Sequence, residues 1–85
     1  MASYKLLFKK SVAKDLRGLP RSDLESILQS IEKLADNPRP AGSKKLSGQE
    51  YYRIRQGNYR VVYEIVDDKL VVHIIKVAHR SRAYR

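Results

Sequence analysis

Arg53, Arg55, Arg60 and Arg80 are the residues of this 85-residue chain whose type and spacing point most directly to chemistry. Arg53 and Arg55 lie two apart, so on a strand both project from one face, about 6.5–7 Å from each other. Gln56-Gly57-Asn58 reads as a tight turn, which makes the next segment an antiparallel neighbour and brings Arg60 back beside them. In that segment Val61, Tyr63 and Ile65 form an apolar set, leaving Arg60, Val62 and Glu64 on the opposite face. A third strand is read with Val71, Ile75 and Val77 inward. That parity puts His73 inward too, as a core or edge residue, and Lys76 outward, with Arg80 continuing the outward set if the strand runs on. Four or five cations on one face with only Glu64 nearby repel one another unless an anion bridges them. The pattern therefore predicts an anion site.

Phosphate in RNA is one such anion. Cleavage of RNA by in-line attack of the 2′-OH needs a base for that hydroxyl, cations for the extra charge on phosphorus, and an acid for the departing 5′-oxygen. The cations are abundant here. Candidates for the acid and base are His79, His73, Glu50, Glu64 and Tyr84. His79 is read beside Arg80, on the active side, although an exposed histidine in a basic tail is an equal reading. Glu64 is equally suited to orienting an arginine through a bidentate pair. Tyr84, with an ordinary phenol pKa near 10, is better suited to stacking on a base than to moving a proton. No metal site is expected: His73 and His79 are six strand residues apart, about 20 Å, and the carboxylates show no paired or HExxH-like spacing. No cofactor is implied.

Charge extends the same theme. Eighteen Lys and Arg against nine Asp and Glu give a net charge of +9. Residues 1–40 carry eight basic and five acidic groups, residues 41–85 ten and four, so the excess lies in the second half. Such a field favours polyanions, whether nucleic acid, an acidic partner or an anionic membrane surface, with plain solubility as the bland alternative. Five of six tyrosines (Tyr51, Tyr52, Tyr59, Tyr63 and Tyr84) share that half, and basic residues interleaved with aromatics suit RNA, although strand tyrosines more often pack. Lys44-Lys45, Lys76, Arg82 and Arg85 are further candidate RNA contacts. The chain has no cysteine, which removes disulfides, thiolate metal sites and a thiol nucleophile. No apolar run exceeds three residues, too short for a membrane span, and the first residues lack a signal-peptide core, so a cytoplasmic location is expected.

The elements that must hold these groups are legible. A strand is read over 3–8 and a helix over 9–19 with Val12, Leu16 and Leu19 on one face. A second helix, over 21–36, carries Leu24, Ile27, Leu28, Ile31 and Leu34 at i, i+3, i+4, i+7 and i+10, with Ser22 and Glu25 as a capping box. Residues 38–49 read as a loop. The period then becomes two: strands over 51–55, 59–66 and 70–78, with Asp67-Asp68-Lys69 as the second turn and 79–85 as a basic tail. The expectation is one α+β domain spanning 1–85, ordered βααβββ. Its antiparallel meander carries two N-terminal helices on one face, and the first strand joins an edge.

These residues also carry a family resemblance. The segment from Tyr52 to Ile65 (YRIRQGNYRVVYEI), followed by Val77 to Tyr84 (VAHRSRAY), resembles the core of the RelE toxins in the RelE/ParE superfamily. The upstream AKDLRGLP, LADNPRP and KKLSG stretches fit in order, so the resemblance covers essentially the whole chain. It implies a fold like the small microbial ribonucleases and metal-independent mRNA cleavage in the ribosomal A site. It also implies inhibition by a cognate acidic, RelB-like antitoxin, with DNA reached only through the antitoxin complex and no membrane partner. By position it assigns active roles to Arg53, Arg55, Arg60, Arg80 and Tyr84. Well-studied members have lysines where this chain has Arg53 and Arg55. Arginine does not give up its proton, so a lysine-as-base mechanism does not transfer. ParE-like members lack this cationic set and inhibit DNA gyrase without catalysis. That activity and a non-catalytic basic RNA-binding module are the alternative readings.

Overall fold

The computed structural model describes residues 3–46 and 50–82. Strand β1 (Lys5–Phe8) leads into helix α1 (Lys10–Arg17) and helix α2 (Arg21–Asp36). Four strands follow: β2 (Lys44–Lys45), β3 (Tyr51–Gln56), β4 (Tyr59–Val66) and β5 (Val71–His79). The spatial order is β1-β5-β4-β3-β2. The expected α+β architecture is present, with two refinements. Lys44-Lys45, read as loop, forms a short antiparallel strand against β3. β1 joins the edge of the meander in parallel with β5, so the sheet is mixed.

Both helices lie against one face of the sheet. Val12 of α1 and Ile27, Ile31 and Leu34 of α2 are buried with Ile54, Val61, Tyr63, Val72, Ile74 and Val77 of the strands. The helical spacing of the α2 apolar residues makes that stripe, although Leu28 at its margin stays 37% exposed. The capping box does not form. Pro20 is the N-cap of α2, no side chain bonds the first turn, and Ser22 already lies inside the helix. Proline's fixed φ suits entry into a helix, and with Pro20 at the cap Ser22 lies two positions too late to serve.

The inward set of β5 differs from strict alternation. Val62 faces Lys76 but Tyr63 faces Ile74, so Ile75 is an extra residue. This β-bulge reverses the parity along the strand. Val72, Ile74 and Val77 are buried, not Val71 and Ile75, and His73 moves to the open face. A physical reason lies at the edge. β1 ends at Phe8, and Lys9 N–H still bonds the Ile74 carbonyl at 2.9 Å. Beyond that point α1 takes over, and an Asp15 carboxylate oxygen accepts the Val77 N–H at 3.2 Å. The strand changes partner there, and the bulge absorbs the change.

Two polar clusters lock the periphery. Arg39 forms a two-pronged bridge to Asp67, with contacts of 2.9 and 3.3 Å, while its Nε donates to the Tyr52 hydroxyl at 3.2 Å. Tyr4 donates to the same carboxylate at 2.8 Å. This ties β1, the segment after α2, β3 and the β4–β5 turn together. Arg39, and after it Tyr4, hold the Asp67 carboxyl below its ordinary pKa. The cluster therefore contributes above the ordinary carboxylate range and weakens as pH falls through it.

The second is Tyr63, fully buried, whose hydroxyl donates to the Pro38 carbonyl at 2.7 Å. Burial pushes its phenol up to about 12. Because the folded pKa lies above the unfolded one, the contribution is complete below pH 10 and is lost as pH rises toward 12. Two pKa units correspond to about 2–3 kcal/mol. Chemical denaturation of the wild type and Tyr63→Phe between pH 8 and 12 checks this. The wild type should lose its advantage above pH 10, and a constant difference across that range would contradict the assignment.

Candidate nucleic-acid interface

The face of the sheet away from the helices carries the arginines. On β3 the core-facing Ile54 places Arg53 and Arg55 on the other side. Register sets Arg55 directly opposite Arg60, and Arg60 opposite Ala78. Lys44 faces Arg53, and Arg53 faces Val62, which in turn faces Lys76. The hairpin turn requires glycine first, and Gly57 adopts φ +59°. The Arg80 N–H bonds the Asn58 carbonyl of that same turn at 2.7 Å, which brings the end of β5 to the arginine hairpin. Arg55, Arg60 and Arg80, with Gly57 and Tyr59, line one cleft of about 200 Å³. Arg60 is half-buried, with its Nε enclosed, whereas Arg55 and Arg80 are exposed.

Other sequence candidates are distributed differently. Lys44 shares the open face, but Lys45 lies opposite Tyr52 and pairs with Glu50 at 3.3 Å. His79 is not in a tail beside the arginines. It closes β5 opposite Tyr59, on the helix side of the sheet, with the two rings edge-on at 5.4 Å. Its Nδ1 accepts the Ser81 N–H at 3.2 Å. The strand extends one residue further than its Val/Ile-rich run indicates, and regular alternation from the inward Val77 puts His79 on the helix side. His79, Lys76 and Lys14 line a second, larger cleft of about 1030 Å³ between α1 and β5. Tyr84, Arg85 and the Arg82 side chain lie outside the described residues.

Tyr59 lines both clefts, whereas the sequence offers it only as one of five tyrosines in the second half. Its hydroxyl lies 3.3 Å from Asp23, to which it donates, and partial burial followed by that carboxylate raises its pKa. Among the described residues, no three His, Asp or Glu side chains gather to hold a metal ion. What the arrangement offers is positive charge and donors converging on a small concavity, suited to a phosphate and to charge that builds up on it.

The chain is similar to known toxins over nearly its whole length. The model of the ParE toxin of type II toxin–antitoxin systems matches residues 6–84. A RelE1 protein of Methanocaldococcus jannaschii is 40% identical over 80 residues, 89% of each chain. The chain belongs to the RelE family of type II toxins. The mRNA interferase toxin RelE of Escherichia coli K12 is 30% identical over 83 residues, covering 95% of this chain and 87% of that one. The archaeal RelE–RelB complex from Pyrococcus horikoshii contains a chain that superposes with a TM-score of 0.84. It is 32% identical, with 95% of this RelE-family chain and 99% of that chain covered. No helix among the described residues is long and apolar enough to cross a membrane.

Proposed function

We propose that this RelE-family toxin is a ribosome-dependent mRNA endonuclease that cleaves in the A site and so stops translation in the cytoplasm. The observation that carries the reading is the convergence of Arg55, Arg60 and Arg80 on one cleft, with Arg53 on the same face. The E. coli relative's description as an mRNA interferase supports it. In the proposed reaction the 2′-oxygen forms a bond to the adjacent phosphorus and the bond to the 5′-oxygen breaks. The 2′-hydroxyl proton leaves to a base, and the 5′-oxygen takes one up, giving a 2′,3′-cyclic phosphate. The arginines hold the phosphate and stabilise the added negative charge. They do not serve as the base. His79 is separated from them by the sheet and the Tyr59 ring, which leaves orientation and part of the proton transfer to the ribosome. Tyr84 is proposed to stack on a base of the presented codon.

The proposed partner is an acidic antitoxin, in line with the RelE–RelB complex of the Pyrococcus relative and the charge of +9. Primer-extension mapping of mRNA in a translating extract tests the activity. Cuts at codon positions that appear only with ribosomes engaged are expected. The matched model's description as a ParE toxin favours gyrase inhibition as the second reading. Loss of supercoiling activity with intact mRNA would establish that reading instead.

A further inference from the structure

The open face is divided. One row across the sheet runs Lys44, Arg53, Val62, Lys76, and the next runs Tyr51, Glu64, His73, Leu7. Glu64 is the single acidic residue in any of the five strands. Its Oε1 lies 3.8 Å from His73 Nδ1, and both side chains are about a third exposed, at 36% and 35%. The bulge at Ile75 creates this pair by turning His73 outward.

A carboxylate only accepts hydrogen bonds, and phosphate oxygens are negative acceptors too. Glu64 therefore repels the phosphates of an RNA strand lying on the arginines and can face only its donors, a ribose 2′-OH or a base amino group. It sits four residues along β4 from Arg60, on the order of 13 Å, too far to take the proton from a 2′-OH whose phosphate Arg60 grips. Tyr51 and Arg53 are about 6.5–7 Å apart on β3. A phosphate held by Arg53 thus leaves its base within reach of the Tyr51 ring and the Glu64 carboxylate. Cytosine presents an amino group that Glu accepts, whereas uracil presents a carbonyl oxygen that a carboxylate repels. We propose that Glu64, positioned by His73 and flanked by Tyr51 as a stacking surface, selects cytosine over uracil in the RNA strand bound on the open face. This rests on the nuclease reading for its biological setting, but the selectivity belongs to the surface itself.

The test is equilibrium binding, at low salt, of short 2′-O-methyl oligocytidylate and oligouridylate, which cannot be cleaved by 2′-OH attack. The wild type should prefer cytidylate by on the order of tenfold. Glu64→Val should bind both oligomers more tightly, because a repulsive charge is gone, with the preference collapsing toward unity. Glu64→Gln, which adds a donor for the uracil oxygen, should also lose it, and provides a second variant if the valine form folds poorly. His73→Phe should keep part of it. Equal binding of the two oligomers by the wild type, or a preference unchanged in both Glu64 variants, overturns the proposal. Absence of mRNA cleavage by a wild type that retains the preference overturns the nuclease reading alone. Cleavage with a preference indifferent to Glu64 overturns this inference alone.

Discussion

Arg80→Ala should lower ribosome-dependent cleavage by about 10²–10³-fold while leaving the melting curve almost unchanged. The activity loss follows from removing one donor aimed at developing charge. The unchanged stability follows from exposure: truncating a surface side chain away from any cap or buried pair shifts stability within about ±0.5 kcal/mol. Arg60→Ala should lose as much activity but cost more stability, on the order of 1 kcal/mol, because Arg60 is half-buried with its Nε enclosed, and its stem packs. The sequence alone treats the two arginines as equivalent outward residues. Single-turnover cleavage on programmed ribosomes, paired with thermal melts, separates them. Full activity in Arg80→Ala would remove the arginine cleft as the seat of the chemistry.

Ile74→Ala should destabilise the protein by about 2–5 kcal/mol, and Ile75→Ala by less than about 1 kcal/mol. Ile74 is wholly buried between the meander and the helices, so truncation leaves a cavity. Ile75 is the bulge residue and remains half-exposed. An 85-residue domain has a total stability of roughly 4–13 kcal/mol, so the first change removes a large share. Its thermal midpoint should fall by about 8 °C or more. Alternation from the sequence predicts the reverse order for these two neighbours. Urea denaturation of both variants decides between them, and an Ile75 variant less stable than the Ile74 variant would contradict the bulge.

The elements and much of the interface were legible along the chain. The 3.6-residue stripe in α2, the change to period two after residue 50 and the glycine turn at Gly57 each act through neighbours in the chain. Those local rules were enough to put Arg53, Arg55 and Arg60 on the face opposite Ile54 and Val61. What happens past Ile74 depends on packing between distant elements. There β5 exchanges the backbone of β1 for the carboxylate of Asp15, some sixty residues away in sequence. A contact of that range leaves no local periodicity to read. Yet it adds one residue to the strand, and because side chains alternate with a period of two, one residue reverses the faces. That reversal buries Ile74 and turns His73 out beside Glu64, while His79, two residues past the inward Val77, keeps to the helix side, away from the arginines.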